Sequence, residues 1–422
     1  MKRLLPIAAV LAALLGAAPG AAATAGCGDP GERWDRRPAG ELGFDPARLQ
    51  DALDWASAHI SASVAVYRHG CLARESRVDL ATAQLPLDGW SMTKTVTALL
   101  VGRAVTLGLL DIDEPIGRLF PEADAEHAAL TPRELLTFTS GLRVNWVRDL
   151  APEPDRVRDA LSLPFDHPPG TAWQYHQSAV TLLAAAVQRA VGEDLQDFAQ
   201  RELFGRVGIP RHFWIWERDR AGNTEGWAHL HMRGYGWARL GQLLLRGGTW
   251  RGTRLISADY MRQMTTPGAV NNAYGFLLWL NRGGSYVLPD VEGQDEGNGP
   301  IIASAPPDTL VMAGSGEQRV YAIPSRDVVI VRLGERGSRE GDTRASLWTG
   351  RGGEVDNEIV RRVMRAVTDV PYDDPGPYRG SDLRLPPADS GVVGDATDVE
   401  EVLGGFGAGP RAPAGCTPAG CS

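Results

Sequence analysis

Residues 89–105 read GWSMTKTVTALLVGRAV and place a serine and a lysine three positions apart at the start of an apolar run. The run from Ser91 to Leu110 has the spacing of a buried helix and ends near Gly108. Residues three apart share one face of a helix, so the Lys94 ammonium can approach the Ser91 hydroxyl. The motif therefore predicts an activated serine at the start of a core helix.

The use of lysine in this chain makes the motif informative. A serine hydroxyl becomes a useful nucleophile when a base removes its proton. Lysine can be that base where burial or a neighbouring charge lowers its pKa, whereas arginine stays protonated. Lysine occurs only at Lys2 and Lys94, and every other basic position apart from histidine is Arg. The alternative is a helix-capping Ser91 with a Lys94 that faces solvent, and the scarcity of lysine favours the catalytic interpretation.

Two further segments contain groups that could act with this pair. Residues 169–177 read PGTAWQYHQ, in which Tyr175 offers a phenol for proton transfer and Gln177 an amide that can bind a substrate carbonyl. Residues 313–318 read AGSGEQ, and their small side chains let a carbonyl approach backbone N–H groups. Taken alone, the first segment fits a turn before a core tyrosine, and the second fits a glycine bend in a strand.

The surrounding elements predict a mixed α/β fold. Strands at both ends of the chain and a helical middle at about 113–259 predict one sheet closed by distant segments, with a helical insertion. Helical spacing occurs at residues 45–59, 132–138, 178–191, 195–204, 236–245 and 354–367. Runs typical of β-strands cover residues 63–67, 72–78, 309–313, 318–323 and 327–333.

Composition limits the classes of function. The 422 residues are 43% hydrophobic and 23% charged, which excludes collagen-like, coiled-coil and wholly disordered chains. A formal net charge of −9 without basic runs argues against nucleic acid as a partner. No later segment approaches about 20 uninterrupted apolar residues, so no membrane span is expected. His229 and His231 have a metal-like spacing without an accompanying metal motif, so neither a metal nor another cofactor is expected.

The two ends of the chain differ from its middle. Residues 1–23 combine Lys2, Arg3, an apolar stretch and small residues at 21–23, which predicts a signal peptide and an exported protein, periplasmic or secreted. Residues 379–422 are rich in Gly and Pro with little periodicity, which predicts a disordered tail after a domain at residues 24–378.

Four cysteines in an exported chain suggest up to two disulfides. Cys416 and Cys421 are close in sequence, and Cys27 and Cys71 could tie the N-terminal arm to a strand, although three pairings are possible in principle. Residues 24–27 read TAGC and faintly resemble a lipoprotein cleavage box, but the threonine stands where a Leu-like residue is usual. Lipid anchoring at Cys27 is therefore the less favoured alternative.

In this order, the three motif segments resemble the serine β-lactamase and penicillin-recognising family, in its class C and esterase-like branch. The strongest likeness is to the 6-aminohexanoate-dimer (nylon oligomer) hydrolases. It extends over about residues 45–367 and includes the segments LTPRELLTFTSGL, PPGTAWQY, WARLGQLLLRGGTWRGTRLIS and YGFLLWLN. The resemblance implies a serine hydrolase domain at residues 24–378, with an antiparallel sheet flanked by helices and an all-helical insertion.

The resemblance also implies roles for the motif residues. Ser91 would be the acylated nucleophile and Lys94 its base or proton shuttle. Tyr175 matches the family tyrosine that helps to deprotonate the serine and later activates the hydrolytic water. The backbone N–H groups of Ser91 and Ser315 would form the oxyanion hole.

Further residues are expected to bind the substrate. Gln177 stands where the family usually has Asn. Gln318 ends the segment that resembles the branch's Gly-x-x-Gly-Gln, in which Glu317 replaces the second glycine. Trp146 and Trp173 lie beside motif segments and could line an apolar pocket, although core packing accounts for them at least as well.

One departure from the family pattern bears on the substrate. The β-lactam-hydrolysing members have Lys-Thr-Gly on this strand, whereas this chain has no lysine there, and only Arg319 or Arg332 could compensate. Efficient β-lactam hydrolysis is therefore not expected as the main activity. Three functions remain: a cofactor-free amidase or esterase for a small molecule or short peptide, a β-lactamase or D-alanyl-D-alanine carboxypeptidase for cell-wall-type substrates, and a non-catalytic ligand-binding relative. The intact serine, lysine and tyrosine favour the first.

Overall fold

The structure is a computed structural model, and several predictions fall outside the residues it describes. These predictions are the signal peptide at 1–23, the pocket residue Trp146 and most of the tail at 379–422. Within the tail only a short two-stranded ribbon is described, in which the backbone of Cys416 lies opposite that of Cys421. The described residues are 26–59, 61–76, 85–144, 153–289, 294–334, 350–378, 416–417 and 420–421.

The described part of the chain contains a run of helices between residues 92 and 199 and a run of strands between residues 279 and 334. In chain order the strands are β1 Ser61–Arg68, β2 Cys71–Glu75, β3 Leu87–Asp88, β4 Trp214–Trp216, β5 Leu230–Met232, β6 Thr249–Trp250, β7 Thr253–Arg254, β8 Trp279–Leu280, β9 Ser285–Pro289, β10 Gln294–Asn298, β11 Leu310–Gly314, β12 Gln318–Ile323, β13 Val328–Gly334, β14 Cys416–Thr417 and β15 Gly420–Cys421. The helices are α1 Pro46–Ser57, α2 Met92–Thr106, α3 Ala125–Ala128, α4 Pro132–Leu136, α5 Arg156–Ala160, α6 Gln177–Val191, α7 Leu195–Ala199, α8 Gly234–Leu245, α9 Ala258–Met264 and α10 Gly350–Ala366. Among the described residues, no helix has the length and apolar character needed to cross a bilayer.

A six-stranded antiparallel sheet lies at the centre of the fold, in the order β2-β1-β13-β12-β11-β8. Strand β1 comes from the N-terminal part of the chain and pairs with β13, with Val66 opposite Ile330. Strands β11, β12 and β13 follow one another as a meander. The prediction of a mixed fold with one sheet closed by distant segments is therefore confirmed.

Helices cover both faces of this sheet. On β12, Arg319 and Tyr321 reach Asp356 of α10, whereas Val320 between them lies against Gly241 of α8. Successive residues of a strand point to opposite faces, so α8 and α10 lie on opposite sides. A Cβ at Gly241 would lie 2.7 Å from Val320 Cγ1, and glycine therefore allows α8 to come this close.

The helix starts follow local signals in the sequence. Asp45 accepts hydrogen bonds from two backbone N–H groups at the start of α1, and Pro46 is the first helical residue. Thr131 and Glu134 form a reciprocal capping box at the start of α4. These contacts explain why the predicted starts of both helices agree closely with the observed ones.

The middle of the chain differs in one respect from the predicted all-helical insertion at 113–259. It contains the short strands β4 to β7, and β4 and β5 join β3 in a small three-stranded sheet. Strands of two or three residues are too short to show an alternating pattern, so the sequence analysis could not predict them.

The N-terminal arm is bound to the central sheet. Cys27 forms a disulfide with Cys71, the first residue of the edge strand β2, so one of the possible cysteine pairings is present. Arg239 of α8 donates to the carbonyl of Gly31 in the same arm at 2.8 Å. The arm is therefore part of the folded core rather than a free extension.

Candidate active site

Ser91 stands at the start of helix α2, on a tight turn that leads out of strand β3. Trp90 before it has φ +46°, a left-handed conformation that is uncommon for residues other than glycine. The Trp90 N–H donates to Asp88 Oδ1 at 2.7 Å. Gly89 leaves room for Trp237, whose ring a Cβ there would meet at 2.2 Å. The Ser91 side chain makes no capping hydrogen bond to the helix, so the alternative of a capping serine does not hold.

Lys94 lies one turn into the same helix and is only 1% exposed. Its Nζ donates to Ser91 Oγ at 2.9 Å and to the Trp227 carbonyl at 2.9 Å. The same nitrogen lies 4.8 Å from the centroid of the Tyr175 ring. The alternative of a solvent-facing lysine is therefore excluded, and Nζ is held between the serine hydroxyl and a backbone carbonyl.

Tyr175 is a second side chain in contact with Ser91. Its buried hydroxyl is hydrogen-bonded to Ser91. Burial raises the pKa of Tyr175 well above its usual value, and the bond to Ser91 and the charge of Arg319 only partly oppose this rise. A phenol with a raised pKa is neutral at neutral pH, so it can pass a proton but is not a resting phenolate.

The Tyr175 ring is fixed in a cluster of buried aromatic side chains. It stacks on Trp279 with centroids 6.3 Å apart and lies 4.9 Å from Phe138. Trp173 belongs to this cluster, 6.2 Å from Tyr175 and 5.4 Å from Tyr274, and is 3% exposed. The structure thus places Trp173 in the packing around the tyrosine.

Ser315 lies in the turn between β11 and β12, next to the turn that carries Ser91. A Cβ at Gly314 would lie 2.2 Å from the Gly89 carbonyl oxygen and 3.1 Å from Trp90 Cβ. The end of the hairpin is therefore in contact with the nucleophile turn. The two segments expected to supply oxyanion N–H groups are neighbours in the fold.

Gln318 and Glu317 hold the hairpin turn in place. The Gln318 amide donates to the carbonyls of Gly316 and Gly334 at 3.1 and 3.0 Å and accepts from the Gly334 N–H at 3.2 Å. Glu317 has φ +65°, and its carboxylate accepts from Arg332 at 2.8 Å. Gln318, which the resemblance implies binds substrate, is thus engaged with backbone groups of the protein itself.

Gln177 is the first residue of α6, two positions after Tyr175, and is 3% exposed. Its Oε1 atom is buried and has no hydrogen-bond partner among the described residues. An unsatisfied buried acceptor costs about 1–3 kcal/mol. A hydrogen-bond donor brought to Gln177 Oε1 would therefore be stabilised there, and binding of substrate by Gln177 stays a prediction.

The two arginines that could replace the family lysine are both neutralised inside the fold. Arg319 is 0% exposed and pairs with the buried Asp356, with Nε 3.1 Å from Oδ1. Arg332 is equally buried and pairs with Glu317 at 2.8 Å. Their guanidinium groups stabilise the sheet and its hairpin.

The two histidines considered for a metal each pair with a carboxylate. His229 Nδ1 lies 2.9 Å from Asp88 Oδ2, and His231 Nε2 lies 2.7 Å from Glu217 Oε1. No group of three or more His, Cys, Asp or Glu side chains suited to a metal is found among the described residues.

Two contacts of the site come from residues outside the three sequence motifs. The Trp227 carbonyl accepts from Lys94 although the two are 133 positions apart. Asp88 binds the backbone before the serine. The Trp227 contact depends on the tertiary fold, so no local pattern marks it, whereas the Asp88 contact spans two positions and is of a kind that aspartate commonly makes in turns.

The chain has relatives among known proteins. The model of the Beta-lactamase family matches residues 47–349. Esterase EstB of Burkholderia gladioli is 34% identical over 127 residues, which cover 25% of this chain and 32% of that protein. Monacolin J acid methylbutanoyltransferase of Aspergillus terreus is 29% identical over 147 residues, which cover 28% of this chain and 35% of that protein. The chain thus spans about a third of the length of these curated relatives.

Solved structures share the fold at low sequence identity. A Bacillus anthracis protein assigned as a 6-aminohexanoate-dimer hydrolase aligns with a TM-score of 0.59 and 14% identity, over 79% of this chain and 88% of that chain. A family VIII carboxylesterase aligns with a TM-score of 0.54 and 18% identity, over 79% of this chain and 99% of that chain. These likenesses show a common architecture.

Proposed function

This chain belongs to the beta-lactamase family of serine hydrolases, and from that premise we propose that it cleaves an amide or ester bond through an acyl-enzyme on Ser91. The observation that carries the proposal is the 2.9 Å contact between Lys94 Nζ and Ser91 Oγ, made by a lysine that is 1% exposed. A base within hydrogen-bond reach of the hydroxyl is what a serine nucleophile requires.

Acylation begins when Lys94, in its neutral form, takes the proton of Ser91 while Oγ attacks the substrate carbonyl carbon. The carbonyl electron pair moves to oxygen, and the N–H groups of Ser91 and Ser315 stabilise the resulting oxyanion. Collapse of this intermediate breaks the C–N or C–O bond. The leaving amine or alcohol receives the proton that left the serine, through Lys94 and Tyr175.

Deacylation repeats these steps with water. Tyr175 and Lys94 remove a proton from the water as its oxygen attacks the acyl carbon, and the bond to Ser91 Oγ breaks as the serine regains a proton. The raised pKa of Tyr175 supports a relay that takes up and releases a proton in one step, with Lys94 as the group that holds the proton between steps.

The charges near the hairpin support a substrate without a carboxylate beside the scissile bond. Arg319 and Arg332 are committed to Asp356 and Glu317, so neither guanidinium offers a substrate carboxylate an uncompensated charge. The names of the curated relatives, an esterase and a methylbutanoyltransferase, describe chemistry at ester bonds rather than at β-lactam rings. We therefore place esters and linear amides ahead of β-lactams.

Export forms part of the proposal. The composition of residues 1–23 is that of a signal peptide. The disulfide between Cys27 and Cys71 supports an oxidising compartment for the folded protein, because such bonds are rare in reducing ones.

The experiment is intact-protein mass spectrometry after exposure to a fluorophosphonate probe, with Ser91→Ala as the control. We expect a single adduct on the wild-type chain and none on the variant. A folded wild-type protein without an adduct, or a Ser91→Ala variant that still carries one, would contradict the proposal. Turnover of short p-nitrophenyl esters, linear amides and a chromogenic cephalosporin then ranks the substrates; a preference for the cephalosporin would reverse our order.

A further inference from the structure

Asp88 and His229 form a largely buried ion pair next to the turn that carries Ser91, and neither residue belongs to the motifs of the site. We propose that this pair positions Ser91 and Lys94 together, by fixing the two backbone segments that hold them. The inference rests on the proposed function, since it assigns a role in the reactivity of Ser91. Both residues act through others and are positioning residues.

Asp88 fixes the backbone on the serine side. Its Oδ1 accepts from the Trp90 N–H at 2.7 Å, and its Oδ2 lies 2.9 Å from His229 Nδ1. Trp90 has the left-handed φ of +46° that turns the chain into Ser91. Such a conformation persists only where its surroundings determine it, and the Asp88 carboxylate is the group that binds its N–H.

His229 fixes the backbone on the lysine side. It also has a left-handed φ, +59°, and follows two positions after Trp227, whose carbonyl accepts from Lys94. The imidazole lies edge-on to the rings of Trp90 and Trp227, with centroids 5.1 Å apart in both cases. One imidazole is therefore in contact with the residue before the nucleophile and with the residue that holds the ammonium.

Further hydrogen bonds join the same segments. Thr97 donates to the Gly226 carbonyl at 2.7 Å, and the Leu230 N–H donates to Thr93 Oγ1 at 3.2 Å. Residues 226–230 thus lie along helix α2, with the Lys94 bond in the middle. The pair of Asp88 and His229 closes this contact at the end nearest to Ser91.

The charge of the pair adds a pH dependence. Burial lowers the pKa of His229, but the hydrogen bond and charge of Asp88 outweigh burial and place that pKa above its usual value. Burial likewise opposes ionisation of Asp88, yet the bond to His229 keeps the pKa of Asp88 below its usual value. Both groups are ionised between these two pKa values, and as the pH rises through the pKa of His229 the imidazole becomes neutral while the Asp88 carboxylate stays charged. The other titratable or charged groups around the pair are Glu217, Glu225, His231, Arg156 and Lys94.

The test compares the rate at which Ser91 reacts with the fluorophosphonate probe in four variants. His229→Leu keeps a side chain of moderate size but loses the bond, and we expect labelling to slow by about 10–100-fold. His229→Asn retains an N–H near the position of Nδ1 and tolerates the left-handed φ, so its rate should stay within about threefold of wild type at high pH. Asp88→Asn can still accept from the Trp90 N–H but carries no charge, so its labelling rate should lie between those of His229→Leu and His229→Asn.

His231→Leu is the matched control. His231 lies two positions after His229, in strand β5, and the change removes its pair with Glu217, which is partly open to solvent. We expect it to label within about twofold of wild type. The labelling rate of His229→Asn, divided by that of wild type, should rise towards one as the pH increases through the pKa of His229, because the wild-type imidazole then becomes neutral as well. With an ester substrate, kcat should fall in His229→Leu while KM changes little.

Several results would overturn the inference. Equal labelling rates for His229→Leu and wild type would show that the pair has no effect on Ser91. An equal loss in His231→Leu would indicate general destabilisation, and thermal unfolding of each variant identifies that case. If His229→Leu does not fold, the other two variants decide. The role would be refuted if the labelling rate of His229→Asn relative to wild type did not change with pH and Asp88→Asn were labelled as fast as wild type. A wild-type protein without a Ser91 adduct would instead refute the proposed function.

Discussion

Lys94 has a set of neighbours that only a lysine fits. The buried nitrogen donates to one hydroxyl and one carbonyl and lies over the faces of two aromatic rings, those of Tyr175 and Trp227, at 4.8 and 5.4 Å. A point charge with rotatable N–H groups can satisfy these directions, whereas a planar guanidinium has a fixed fork of donors. Proton exchange also separates the two side chains, since only the amine can lose its proton at usable pH.

Replacement of Lys94 by Arg tests this distinction. The variant keeps the positive charge but cannot act as a base, so we expect kcat for an ester substrate to fall by about 10²–10⁴-fold. Steady-state turnover and the fluorophosphonate rate measure the loss, and circular dichroism checks that the variant is folded. Turnover within about tenfold of wild type would show that Lys94 is not the base.

The sequence predicted those parts of the site that depend on local spacing. The contact between Ser91 and Lys94 follows from three positions on one helix. The contact of Tyr175 with the serine could be expected only from the resemblance, because α6 and α2 meet through tertiary packing. The pairing of Asp88 with His229 could not be predicted from the sequence for the same reason. The two residues are 141 positions apart, and each residue type is common on protein surfaces.

Helix α2 shows what an element contributes to such a site. Nearly all of its residues are buried, from Met92 to Ala104, so the helix runs through the core rather than along the surface. A helix surrounded on all sides by other elements cannot shift without disturbing them. It therefore gives Ser91 and Lys94 a fixed separation, which a surface helix would not.

The β11–β12 hairpin owes its position to a buried network of charges. Arg319 and Tyr321 on β12 both bind Asp356 of α10, and Arg319 also donates to the Gly314 carbonyl at 2.8 Å. The sequence predicted the strands and α10 correctly but contained no sign that they share this network. Charged residues within a strand pattern are expected at the surface, whereas here the alternation places them against a helix.

Replacement of Asp356 by Asn measures the strength of this network. The change leaves the buried Arg319 without its main counter-charge, and we expect the free energy of unfolding to fall by about 3–5 kcal/mol. Asp374→Asn is the control, since that carboxylate is 29% exposed and its pairs with α10 should contribute less than about 1 kcal/mol. Urea unfolding of both variants gives the comparison. Similar losses would mean that the buried pair is worth no more than the surface one.

The whole molecule depends on contacts between distant parts of the chain. Strand β1 pairs with β13, α1 packs on α10, and the N-terminal arm lies against α8, so the two ends close one sheet. Folding must bring these segments together before the site exists, because Ser91 and Ser315 lie far apart in the sequence. A covalent link within the N-terminal part reduces the entropy that this part of the chain loses on folding.

The disulfide between Cys27 and Cys71 is that link, and its removal is a test of stability at the scale of the molecule. It closes a loop across 44 positions, for which the chain-entropy relation gives a stabilisation of about 4 kcal/mol. The double variant Cys27→Ala/Cys71→Ala should lose a comparable free energy of unfolding, because the unfolded chain regains its freedom. Dithiothreitol should lower the unfolding midpoint of the wild type towards that of the variant and leave the variant unchanged. If the reductant destabilised the variant as much as the wild type, the stabilisation would come from another part of the chain and not from this bond.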